Sequence, residues 1–179
     1  FIFAITPFNF TSIAANLPCA PALMGNVAIW KPASSSVYSG YFLMKMLQEA
    51  GLPDGVINFL PGSGAKIGDI VFDHKKLAGV HFTGSTKVFQ NIWAKIGTNI
   101  ANYDSYPRIV GETGGKDFIL AHETANIDAL VTGMIRGAFE YQGQKCSAAS
   151  RCYIPESIWP EVKEKYTALV KTLTVGDVN

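Results

Sequence analysis

Gly79-Val80-His81-Phe82-Thr83-Gly84-Ser85-Thr86 is the stretch from which the fold is read. A short run of apolar, strand-favouring residues ends in a glycine turn. Ser85 then stands where a helix N-cap belongs, and Thr86–Ile100 carries apolar residues at helical spacing. A buried strand that turns directly into a helix is half of a βαβ unit, because parallel strands need a crossover between them. Outward from this stretch the same kind of run recurs at Phe1–Ile5, Asn26–Trp30, Val56–Leu60 and Arg108–Val110, each bounded by Gly, Pro or Thr. Ser35–Ala50 and Ala65–Phe72 read as helices between them. In the first, Tyr38, Phe42, Met46 and Leu47 share one face, and Gly51 followed by Pro53 stops it. The expectation is an α/β domain built on a parallel sheet, with ligands taken at the glycine turns that close its strands.

After Gly114-Gly115 the rhythm restarts. Phe118–Ala121 reads as a strand, and Ile127–Tyr141 as a helix with Leu130, Met134, Ala138 and Tyr141 inward. Arg151–Ile154 is another strand, and Pro155 to Leu173 another helix. A boundary near Thr113 therefore separates residues 1–113 from residues 114–179.

Charge and composition exclude some functions. A formal net charge of +1 and the lack of any basic run give no reason to expect nucleic acid or an anionic membrane as partner. No stretch approaches the roughly 20 apolar residues of a membrane helix. Cys19, Cys146 and Cys152 form no C-x-x-C pair and no disulfide framework, which fits a reducing compartment. The opening Phe1-Ile2-Phe3-Ala4-Ile5 is too short for a signal-peptide core and meets Pro7 at once. The chain closes on Gly176-Asp177-Val178-Asn179 just past a helical pattern. It reads as a piece of a longer protein, so missing targeting signals carry no weight.

Several residues are candidates for chemistry, and each also has an ordinary structural reading. Cys146, in Gly143-Gln144-Lys145-Cys146-Ser147-Ala148, has small and polar neighbours. A nearby cation such as Lys145, or a helix start just after it, would favour the reactive thiolate. Cys19, between Pro18 and Ala20, and Cys152, inside a strand, fit the ordinary buried thiol. Glu112, in Gly111-Glu112-Thr113-Gly114-Gly115-Lys116, ends a strand before a glycine turn. A partly desolvated carboxylate there suits a general base, and a solvated loop carboxylate is the alternative. Ser85 with Gly84, and Gly62 in Pro61-Gly62-Ser63-Gly64, could let a pyrophosphate approach backbone N–H groups; neither is a full dinucleotide fingerprint, and a plain capped turn is the alternative. Lys31 ends a strand and could reach ribose hydroxyls, or else lie along the surface. Asn9 offers an amide at a strand end, as oxyanion donor or as turn residue. His74, His81 and His122 lack metal-ligand spacing and read as structural, so no metal is expected.

Singly these signals are weak; their order along the chain is not. Pro7-Phe8-Asn9-Phe10, Lys31-Pro32-Ala33, Phe82-Thr83-Gly84-Ser85, Glu112-Thr113-Gly114-Gly115-Lys116 and Gly143-Gln144-Lys145-Cys146 together resemble the aldehyde dehydrogenase superfamily over essentially the whole chain. Within it the chain is most similar to the 1-pyrroline-5-carboxylate dehydrogenase subfamily, through Ala138–Ala148 and a long Ser85–Glu112 segment containing Tyr106-Pro107-Arg108. The resemblance implies a Rossmann-like nucleotide-binding domain over 1–113 and the start of a second α/β catalytic domain over 114–179. It implies Cys146 as nucleophile, Glu112 as base and Asn9 as oxyanion donor. It places Lys31, Ser34, Gly62, Gly84, Ser85 and Gly114 at the cofactor, and Lys145 and Ser147 at the substrate. Many family members carry a carboxylate where Ser34 stands, and a neutral serine does not repel a 2′-phosphate. NAD is therefore the cofactor expected, and NADP stays open. The implied reaction oxidises glutamate semialdehyde to glutamate, in the mitochondrial matrix, by a homo-oligomer of which this piece alone would be inactive. A dehydrogenase for another aldehyde, or a catalytically silent relative, are the alternatives.

Overall fold

The structure, a computed structural model, describes residues 1–177. The chain divides into two compact units, Phe1–Thr113 and Gly114–Asn179. The first holds five strands, β1 (Ile2–Ile5), β2 (Ala28–Lys31), β3 (Ile57–Phe59), β4 (Gly79–Gly84) and β5 (Arg108–Thr113), with helices α1 (Thr11–Leu23), α2 (Val37–Glu49), α3 (Gly64–Phe72) and α4 (Thr86–Thr98) between them. All pairings are parallel and the strand order is β3-β2-β1-β4-β5.

Apolar layers cover both faces of β1, β2 and β4, which is why those strands read as largely apolar runs. On one side Phe3, Val80 and Phe82 pack with Val71 and Phe72 of α3 and with Ile92 and Ile96 of α4. On the other, Ala28, Trp30 and Ile57 pack with Ala14 of α1 and with Leu43, Met44 and Leu47 of α2. Trp30 is wholly buried, edge-on to Phe59 at 4.9 Å between ring centroids. Its indole N–H donates to the buried Thr6 hydroxyl at 2.9 Å. Thr6→Val would keep the shape and remove the acceptor, leaving a buried donor unsatisfied. A loss of about 1–3 kcal/mol is expected, read as a lower denaturation midpoint of the full-length protein, with Thr6→Ser close to wild type.

One helix of this unit is not marked in the sequence, and one expectation needs correction. Helix α1 contains Pro18 and Pro21, and no helical spacing marks it in the sequence. Pro18 is fully buried, and that burial offsets much of the roughly 3 kcal/mol that an interior proline costs a helix. The face of α2 that carries Tyr38, Phe42 and Met46 is exposed, and Leu43, Met44 and Leu47 are the residues that reach the core.

The second unit pairs β6 (Asp117–Leu120) with β7 (Ala149–Tyr153) in parallel, with α5 (Ile127–Phe139) between them and α6 (Trp159–Val170) after them. Asn126 caps α5 by accepting the Ala129 N–H at 2.9 Å. Val131 and Met134 of α5 pack with Val162 of α6 and with Ile119 and Cys152 of the strands. Phe118, Leu120 and Tyr153 on the alternate strand positions are exposed. Helix α5 ends at Phe139, so Tyr141, expected inward, lies outside it and is half exposed. Among the described residues no helix is long and apolar enough to cross a membrane.

Candidate active site

Because the strands of the first unit are parallel, their carboxyl ends share one edge of the sheet, and the candidate residues of that unit gather there. Lys31 closes β2 opposite Ile5, and Ile5 in turn lies opposite Phe82. Glu112 lies one step further along, opposite Thr83 on β4. Asn9 comes after β1 through Pro7 and Phe8, Gly62 comes after β3, and Gly84-Ser85 close β4 and lead out of it. The order 3-2-1-4-5 reverses direction between β1 and β4, and such a switch point opens a crevice beyond the strand ends. Asn9 and Ser85 stand in the two segments that leave the sheet at that crevice.

Lys31 is 9% exposed, so the reading of it as a surface lysine is excluded. Burial lowers the pKa of its ammonium, and among the described residues it forms no ion pair. The side chain runs to the start of α3: a Cβ added at Gly64 would lie 3.7 Å from its Nζ. Ser63 caps that helix, accepting the Lys66 N–H at 3.5 Å. Ser85 caps α4 in the same way, accepting the Val88 N–H at 3.3 Å. Two capped helix starts and a buried cation thus face the same strand ends, a donor set suited to a nucleotide's phosphates and ribose. Ser34 is exposed at the head of a 3-10 turn, Ser34–Ser36, that leads into α2. Glu112 is exposed on the edge strand β5.

In the second unit Gly114, Gly115 and Cys146 lie just before the amino ends of the paired strands β6 and β7. The Ala148 N–H donates to the Lys145 carbonyl at 3.3 Å, closing a turn around half-buried Cys146 and exposed Ser147. This turn leads straight into β7, so no helix start stands behind the thiol. Gly115 approaches so closely that a Cβ there would sit 2.2 Å from the Cys146 carbonyl oxygen. Gly114, by contrast, borders open space. Burial pushes the thiols of Cys19 and Cys152 up.

Before Cys146 the backbone is unusual. Tyr141 and Gln142 adopt φ of 55° and 57°, and Gly143 comes next at 68°. For each of the two L-residues this left-handed conformation costs about 1 kcal/mol. Gly143 is needed on two counts, since a Cβ there would also meet the Ala138 carbonyl oxygen at 2.8 Å. Glu140, to which no sequence motif gives a role, sits at the head of this turn. It accepts from Arg136 at 2.7 Å and from Lys145 at 2.5 Å. Those two cations, Arg136 foremost, hold its carboxyl at about 2. The ammonium of Lys145 is thus engaged by a carboxylate. The signal that could have found Glu140 is its spacing, four residues after one cation and five before another.

The three histidines have local partners: His81 meets the Leu17 carbonyl at 3.0 Å, His74 accepts the Lys76 N–H at 3.1 Å, and His122 meets the Thr124 hydroxyl at 3.0 Å. Among the described residues no group of His, Cys, Asp or Glu gathers where it could hold a metal ion.

The family model described as "Aldehyde dehydrogenase family" matches residues 1–179. The chain belongs to the aldehyde dehydrogenase family. Its five-stranded parallel sheet matches the amino-terminal Rossmann-like region of that family. The mitochondrial delta-1-pyrroline-5-carboxylate dehydrogenase of Dictyostelium discoideum is 54% identical over 178 residues, 98% of this chain and 32% of that protein. The human mitochondrial protein of the same name is 45% identical over 177 residues, 99% of this chain and 31% of its own length. A crystal structure of the Mycobacterium tuberculosis delta-pyrroline-5-carboxylate dehydrogenase bound with NAD superposes with a TM-score of 0.96 at 55% identity, covering 99% of this chain and 33% of that one. The chain thus spans about a third of the length of these aldehyde dehydrogenases.

Proposed function

We propose that the full-length protein is an NAD-dependent 1-pyrroline-5-carboxylate dehydrogenase, oxidising L-glutamate 5-semialdehyde, the ring-opened form of its substrate, to glutamate. The observation that carries this reading is identity above one half to dehydrogenases of that name, spread over nearly the whole chain. The residues needed for the chemistry, Cys146, Glu112 and Asn9, are all present. On this reading residues 1–113 bind the nucleotide and residues 114–179 begin the catalytic domain.

Lys31 and the capped starts of α3 and α4 suit a dinucleotide, so they are assigned to its ribose and phosphates, with Ser34, Gly62, Gly84 and Gly114 alongside. When bound, NAD supplies the hydride acceptor. The Cys146 thiolate attacks the aldehyde carbon and forms a thiohemiacetal, whose oxyanion is assigned to the Asn9 amide and the Cys146 backbone N–H. Loss of hydride leaves a thioester on Cys146. Glu112 takes a proton from water, which attacks the thioester carbonyl; the thiolate departs and the carboxylate product forms. Ser147, exposed beside the nucleophile, is assigned to the substrate's polar end. Lys145 has the same assignment from its motif, although a substrate carboxylate there would compete with Glu140. A mitochondrial matrix location and a homo-oligomeric assembly, dimer or higher, belong to the same proposal.

The test is reduction of NAD and NADP, side by side, by the full-length protein given pyrroline-5-carboxylate. Strong NADH formation is the expected result. Turnover of simple aldehydes without this substrate would place the protein elsewhere in the family. No turnover with any aldehyde would make it a silent relative.

A further inference from the structure

We infer that Glu140 is a positioning residue for the nucleophile: it clasps the last turn of α5 to the residue preceding Cys146. The inference rests on the proposed role of Cys146. One carboxylate oxygen accepts from Arg136, four residues earlier on α5, and the other from Lys145, five residues later. The carboxylate therefore bridges the helix end and the far side of the turn that delivers the thiol. Between these anchors run three consecutive left-handed residues, Tyr141, Gln142 and Gly143. L-residues hold that conformation only where their surroundings fix it. Within the segment the Glu140 N–H donates to the Arg136 carbonyl, and the Gln144 N–H donates to the Tyr141 carbonyl at 3.1 Å. The clasp joins the two ends of the segment through side chains. It also gives Lys145 a structural task beside Cys146, distinct from capture of the substrate's anionic end.

Exposed ion pairs add little to global stability, so a clasp that acts on the thiol's placement should be visible in rate and not in melting. The experiment uses the full-length enzyme with Glu140→Gln, Lys145→Met, the double variant and Glu140→Asp. It measures kcat, KM for NAD, the melting midpoint, and the rate at which iodoacetamide alkylates Cys146. Glu140→Gln is expected to lower kcat about tenfold and to change the alkylation rate, with KM for NAD and the melting midpoint little altered. The double variant should be no worse than the poorer single one, since both break the same link. Glu140→Asp should recover part of the loss. Unchanged kcat and alkylation in Glu140→Gln would overturn the inference. So would multiplying losses in the double variant, or a fall in melting midpoint that accounts for the lost rate. Lys145→Met opens the clasp from its other end, and its alkylation rate, read without substrate, decides the matter should Glu140→Gln fail to fold. Alkylation needs no turnover, so it reads the clasp even if the substrate proves to be another aldehyde. The nucleophile reading fails separately, by activity surviving in Cys146→Ala.

Discussion

Replacing Cys146 with alanine in the full-length protein is expected to cut aldehyde oxidation on the order of 10⁴-fold or more, the scale on which loss of a covalent nucleophile acts. The chain offers three thiols, and the structure separates them. Cys19 lies in α1, Cys152 in β7, and burial pushes both up and away from the thiolate. Cys146 sits in a turn between half-buried and exposed residues, outside every strand and helix. Cys19→Ala and Cys152→Ala should therefore keep most of the wild-type rate. NAD should still bind the Cys146→Ala protein, because nearly all the residues assigned to it lie in the other unit; quenching or enhancement of NADH fluorescence would report this. Normal oxidation by Cys146→Ala would end the covalent mechanism proposed for this chain.

How much is legible in the sequence depends on which signals are local. Strand-then-helix alternation is readable because β1, β2 and β4 are covered on both faces and so appear as short apolar runs bounded by glycine, proline or threonine. Helix α1 is not readable, because Pro18 and Pro21 are breakers by every local rule, and only tertiary burial of Pro18 overrides them. The inward face of α2 is hidden for a related reason. Tyr38, Phe42 and Met46 form the more apolar-looking stripe, yet Gly40 lets α2 pack closely against Phe59 and so turns Leu43, Met44 and Leu47 to the core. Spacing alone cannot distinguish two apolar stripes on one helix.

The site divides in the same manner. Lys31 is found by its place at a strand end, but its burial, which separates a ligand-directed lysine from a surface one, is a property of packing. Helical spacing continues through Tyr141 and so points it inward. The helix stops two residues earlier, and nothing in Glu140-Tyr141-Gln142 announces a left-handed turn of two L-residues. A linear reading finds only half of the role of Glu140: helical spacing marks Arg136, but Lys145 lies beyond that unannounced turn.

Gly115→Ala carries the second large effect, and it acts on the nucleophile without touching its thiol. A Cβ at Gly115 would sit 2.2 Å from the carbonyl oxygen of Cys146 and 2.7 Å from the carboxylate of Asp117. The Asp117 side chain can rotate away; the Cys146 carbonyl is backbone and cannot. Ordinary carbon–oxygen contact lies above about 3 Å, so the Cys146 segment must move by roughly 1 Å. A displacement of that size near reacting atoms costs on the order of 10²-fold in rate. Gly114→Ala serves as the contrast, since a Cβ at that position meets no protein atom within 4 Å. In the full-length enzyme Gly115→Ala should lower kcat about 10²-fold and slow alkylation of Cys146. Any loss in Gly114→Ala should appear instead in KM for NAD, the ligand to which that glycine is assigned. Equal kcat in wild type and Gly115→Ala would mean that the Cys146 turn gives way freely, and that its backbone placement does not govern the rate.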